Sequence, residues 1–165
     1  MLQAYTSNLS LGGGSSACVQ QDAPPSGATT NLKVTSLSCG KHQIPDALPR
    51  LLGQYGKLQV LQLPGCCIGD VGALALASVA GQYLRQLHTL QLPGNYITAT
   101  GAQKLADASF KHLTALNLSG NYLAAEGAAA LAAASWRPGL QQLQLRWNGL
   151  GDAGGLRKRC RAAAQ

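Results

Sequence analysis

The sequence predicts an α/β solenoid, in which strand–helix units stack with a short parallel sheet inside the curve and helices outside. Three observations predict it. The pattern LxxLxLxx(N/C)x(I/L)xxxGxxxL occurs in full three times. It runs through Leu58, Leu61, Leu63, Cys66, Ile68, Gly72 and Leu76, then through Leu87, Leu90, Leu92, Asn95, Ile97, Gly101 and Leu105. It returns at Leu113, Leu116, Leu118, Asn121, Leu123, Gly127 and Leu131. A fourth copy holds through Leu140, Leu143, Leu145, Asn148, Leu150 and Gly154 and fails at Lys158. The second observation is length, because starts at 34, 58, 87, 113 and 140 leave room for a helix after each strand. The third is physical: one copy cannot bury its own leucines, so neighbouring copies must stack.

Each element follows in order. Residues 1–31 are rich in Gly, Ser, Thr, Ala and Pro and are expected to be disordered or a degenerate N-terminal cap. The cap alternative rests on Leu9 and Leu11, which fall at the fourth and sixth positions of a copy starting at Thr6. The repeat domain is expected over 34–165, about 4.5 repeats, with the last acting as a cap. Its first copy uses Val34, Leu37, Cys39, His42 and Ile44, with a strand near 36–39 and a helix shortened by Pro49. Further strands are expected near 60–63, 89–92, 115–118 and 142–145, and helices over 70–80, 99–109 and 125–135. In each LxL the two leucines face the same way, because strand side chains alternate. Asp70, Thr98 and Asp152 stand where they could cap the helices that follow them. The ninth position, Cys66, Asn95, Asn121 and Asn148, falls where the chain turns. The recurrent glycine is expected where a side chain would crowd the neighbouring repeat.

The long repeat, the helical return and the downstream glycine resemble the ribonuclease-inhibitor type of leucine-rich repeat. That type is found in ribonuclease inhibitor, NOD-like receptor arrays, the Ran GTPase-activating protein and the tropomodulin tail. The resemblance covers residues 34–165. It implies a right-handed leucine-rich repeat solenoid in which the ninth-position side chains satisfy loop backbone groups in a continuous ladder. It also implies a non-catalytic module that binds a partner protein on its concave face. Regulation of a small GTPase is the alternative the Ran activator suggests. A third is an acidic partner or nucleic acid held by the basic C-terminal helix.

Composition bounds these choices. At 165 residues one domain is expected. No apolar stretch approaches the roughly 20 residues that cross a bilayer, so no membrane association is expected. The first 31 residues hold no Lys or Arg, so neither a secretory signal nor a transit peptide is read there. Five cysteines at irregular spacing read as reduced thiols, and the expected compartment is the cytoplasm, with the nucleus as alternative. The net charge is +7, but Arg157, Lys158, Arg159 and Arg161 supply four of those units. A basic end is a weaker signal for nucleic acid than a basic face, and the cap reading outweighs it.

No catalytic, metal-ligating or cofactor-binding residues are assigned. The glycines at 12–14 lack the lysine of a phosphate loop. His42, His88 and His112 are scattered, and Cys66-Cys67 is adjacent rather than CxxC. The outward strand positions instead form columns. Position five holds Ser38, Gln62, Gln91, Asn117 and Gln144, an amide column whose bland reading is solubility. Tyr96 and Tyr122 share position ten, while Arg146 and Trp147 close the last repeat. Tyrosine, tryptophan and arginine concentrate binding energy at interfaces. The expected partner surface is therefore Gln62, Gln91, Tyr96, Asn117, Tyr122, Gln144, Arg146 and Trp147 on a monomer.

Overall fold

A computed structural model describes residues 4–12, 15–22, 31–38, 44–53 and 57–151. The element order is β1 (Ala4–Gly12), β2 (Ser15–Asp22), β3 (Asn31–Ser38), α1 (Ile44–Leu52), β4 (Val60–Gln62), α2 (Gly69–Tyr83), β5 (Thr89–Gln91), α3 (Ala99–Ala106), β6 (Ala115–Asn117), α4 (Ala124–Ala133), a single 3-10 turn (Arg137–Gly139) and β7 (Gln142–Gln144). All seven strands form one sheet in sequence order. β4 to β7 are parallel, with Leu61, Leu90, Leu116 and Leu143 as successive Cα partners. Neighbouring helices pack on one another along the other layer. This is the α/β solenoid the leucine periodicity predicts, and the four strands from 60 to 144 lie where expected.

Two stacked repeats bury what one cannot. Leu61, Leu63, Leu90, Leu92, Leu116 and Leu118 are all buried. Leu143 of β7 and Leu145 just after it are only partly buried. Alanines on the inner helix faces, such as Ala73, Ala80 and Ala102, let the helices approach the leucine layer closely. Trp136 closes the core beside Phe110, edge to face at 6.0 Å, and its indole N–H donates to the Leu105 carbonyl at 3.1 Å.

The N-terminal part differs from expectation. β3 pairs with β4 through Asn31–Lys33, so Leu32, not Leu37, stands opposite Leu61. β3 includes 36–38 of the strand expected near 36–39, but its parallel pairing with β4 begins five residues earlier, at Asn31. The physical reason is step length: Leu32 to Leu61 equals the step from Leu61 to Leu90. A start at Val34 would have squeezed α1 into a shorter return. β1, β2 and β3 form an antiparallel meander, with bulges between Ser10 and Gly12 and between Cys18 and Val19. The segments 4–12 and 15–22 are thus strands, rather than the loose coil their composition suggests.

Helix starts also depart from the expected capping. α2 begins after Ile68 with no side-chain cap. Asp70 instead reaches across to the next repeat. One carboxylate oxygen accepts from the Thr98 N–H at 2.8 Å and the Gly101 N–H at 3.0 Å, and the other from the Thr98 hydroxyl at 2.6 Å. Thr98 caps its own helix as expected, accepting from the Thr100 N–H at 3.2 Å. The glycine at 101 follows from this clasp, because a Cβ there would collide with the Asp70 carboxylate and lie 3.1 Å from its Cα. At Gly127 the same crowding comes from Ala99 and Ala102 of the preceding helix. At Gly72 it comes from Ile68 of the same repeat. Asp70→Ala should cost about 2–4 kcal/mol in urea unfolding, because a half-buried carboxylate serving three donors leaves them unmet. Asp107→Ala, at the exposed end of α3, should cost far less. Equal losses would show that the clasp does not join repeats. Asp152 lies outside the described residues.

Candidate functional site

The turn after each strand builds the surface. The ninth-position residues sit beneath it. The Asn95 amide donates to the Leu63 and Pro93 carbonyls, and its oxygen accepts from the Ile68 N–H at 3.4 Å. The Asn121 oxygen accepts from the Asn95 and Ile97 N–H groups, both at 3.0 Å. Its amide donates to the Leu92 and Leu118 carbonyls. Asn148 repeats the pattern with Leu123 N–H and the Leu118 carbonyl. The Cys66 thiol holds the equivalent place, 3.6 Å from the Pro64 carbonyl. All four side chains are buried, so the turns above them are rigidly footed. Cys67, beside Cys66, is exposed.

On this footing the expected contact residues separate into three groups. Gln62, Gln91, Asn117 and Gln144 are successive Cα partners across β4–β7 and form one row. Asn117 is not a free amide in that row. Its oxygen accepts from the Ser119 N–H at 2.9 Å, an Asx-type turn that leaves it half-buried. Tyr96 and Tyr122 form a stacked pair, centroids 5.9 Å apart and planes at 21°. They are 55% and 61% exposed. Arg146 and Trp147 lie in the turn after β7, where Trp147 is 82% exposed. Among the described residues no ring stacks on Trp147.

Two of these side chains stand at turn positions that are left-handed in other repeats as well, Tyr96 at the tenth with Cys67 and Gly149, and Trp147 at the eighth. Gly65, Gly94 and Gly120 occupy the eighth position of their repeats with φ of 62°, 66° and 69°. Trp147 occupies the same position with φ of 55°. Tyr96 has φ of 60°. The left-handed region costs an L-residue about 1–2 kcal/mol, since its Cβ crowds the following carbonyl. Sequence pattern alone hid this, because a tryptophan in a column of glycines reads as simple variation.

Other candidate chemistry stays dispersed. His88 and His112 stack, with ring centroids 6.1 Å apart, on the opposite edge of the sheet from the tyrosines. No group of three or more His, Cys, Asp or Glu able to hold a metal ion occurs among the described residues. Among the same residues no helix is long and apolar enough to cross a membrane. His42 and the basic residues 157–161 lie outside the described residues.

A family model described as leucine-rich repeat matches residues 57–77, 111–132 and 140–156. The stretch between the first two matches, from Leu87 to Leu105, has the same strand, ladder residue and helix. Stacked strands, asparagine ladder and matched repeats together define an α/β leucine-rich repeat solenoid. No curated protein matches it. Leucine-rich repeats generally mediate protein–protein interaction.

Proposed function

We propose that this chain is a non-catalytic recognition module that binds a partner protein on its concave and ascending-loop surface. Tyr96, Tyr122, Arg146 and Trp147 are the anchors, and Gln62, Gln91, Asn117 and Gln144 supply a neutral hydrogen-bonding floor. One observation carries the reading. Tyr96 and Trp147 are bulky, exposed and held in the left-handed backbone region. Neither burial nor backbone preference favours an aromatic residue there, and strain of this kind clusters at binding sites. Rigid aromatic side chains then present large contact area with few rotamers to freeze. In this reading the array and its N-terminal strands are one folding unit, and the strands cap its first repeat. The long repeats with true helices favour the ribonuclease-inhibitor-like kind.

The test is affinity capture from the native cell extract with the unaltered chain, Tyr122→Ala and Trp147→Gly. Trp147→Gly should leave stability unchanged or raise it by up to about 1 kcal/mol, since glycine relieves the left-handed strain at some entropic cost. Both substitutions should weaken the captured partner by more than about 1 kcal/mol. Capture of a small GTPase would narrow the partner class, and stimulated GTP hydrolysis would then read its effect. Partners held equally well by both variants would remove the proposed surface.

A further inference from the structure

A second surface lies on the opposite edge. α2, α3 and α4 end at Tyr83, Ala106 and Ala133, and the next strands begin at Thr89, Ala115 and Gln142. The strands are parallel, so their leading loops line up along one edge of the solenoid. Each loop carries an exposed base: Lys57 before β4, Arg85 before β5, Lys111 before β6 and Arg137 before β7. The exposed His88 and His112 join them. Two acidic residues stand on this edge among the described residues: Asp107, which accepts from the Gln103 amide at 3.0 Å, and Asp22 at the end of β2, level with the start of β3 and away from the loops before β6 and β7. Asp70 and Glu126 sit in the first turns of their helices, at the other edge. A cleft of about 470 Å³ opens on the basic edge, lined by His88, Lys111, His112, Thr114, Ser135 and Trp136, and no acidic residue lines it.

Local structure does not explain the whole row. Arg85 has a structural task, donating its Nε–H to the Gly81 carbonyl at 2.9 Å near the end of α2. Lys111 and Arg137 lie beyond the last turns of α3 and α4, outside the short reach of the helix dipole. We propose that this edge binds an acidic segment of polypeptide, with its carboxylates over Lys111 and Arg137 and its backbone in the His88–His112 cleft. The spacing suits an extended chain. Stacked strands repeat about every 4.8 Å and an extended chain advances about 3.3 Å per residue, so carboxylates one or two residues apart come within reach of the long side chains on two adjacent loops. Single-stranded nucleic acid fits less well, because it uses exposed aromatic faces as stacking platforms. Here Phe110 and Trp136 are buried against each other, and His88 and His112 stack together.

The test measures binding of fluorescein-labelled poly-L-glutamate to the full chain by fluorescence anisotropy. Two double reversals with equal charge change are compared: Lys111→Glu with Arg137→Glu, and Arg157→Glu with Lys158→Glu. The first pair should weaken binding about tenfold or more, from two attractive contacts turned repulsive, and the second about twofold or less. The His112 ring protons should shift during the titration. No binding by the unaltered chain, or equal losses from the two pairs, would overturn the proposal. Tighter binding of a single-stranded oligonucleotide, with the same sensitivity to the loop pair, would replace the polypeptide by nucleic acid.

Discussion

Asn121→Leu should be among the most damaging single substitutions in the described residues, costing about 4 kcal/mol or more in urea unfolding. Asn121 meets five backbone partners: N–H groups of Asn95 and Ile97, and carbonyls of Leu92, Leu118 and, at 3.4 Å, Ser119. All lie where water does not reach, and each unmet group costs about 1–3 kcal/mol. Asn117→Leu, four positions away, removes a single turn bond to Ser119 and should cost about 1 kcal/mol or less. Asn121→Cys should fall between them, because Cys66 holds this place one end of the ladder earlier. Equal shifts in the unfolding midpoint for Asn121→Leu and Asn117→Leu would contradict the ladder's role.

Leu116→Ala should cost about 2–5 kcal/mol. Leu116 lies between Leu90 and Leu143 of the adjoining strands and is 2% exposed. The ladder above and the helices behind fix the distance between repeats, so the lost methyl groups leave a cavity that cannot close. Leu143→Ala should cost less, because its site is only partly buried and water or relaxed neighbours fill it. Calorimetric melting of both variants decides the matter. A smaller loss at Leu116 than at Leu143 would place the most tightly packed part of the array elsewhere.

Much of this architecture is legible in the sequence. The LxL periodicity specifies buried leucines because strand side chains alternate, and the ninth-position Asn or Cys marks each buried turn. Helix positions followed from repeat length, although their ends moved by a few residues. Tyr96, Tyr122, Gln144, Arg146 and Trp147 are exposed while Gln62, Gln91 and Asn117 are half-buried, and the repeat itself pairs Tyr96 with Tyr122. All these features depend on residues within one repeat or at the same position of the next.

Whatever depended on how neighbouring repeats touch was not legible. Asp70 looked like the cap of its own helix, yet its carboxylate serves Thr98 and Gly101 one repeat later. Asn117 looked like an outward amide but is turned onto Ser119. The first strand was placed from Leu37, whereas the sheet accepts Leu32, because both offer an apolar residue and only the pairing chooses between them. The row of bases from Lys57 to Arg137 is scattered over 81 positions and becomes one edge only when the loops stack. The left-handed conformation of Trp147 is equally invisible in the chain, where it stands simply as a large residue after three glycines. Sequence alone thus determined the repeat, its buried leucines and its ladder, since these follow from local periodicity. The tertiary structure decided the clasp, the starting register, the basic edge and the strained aromatic residues. Those arise from contacts between residues whose separation along the chain says nothing of their distance in space.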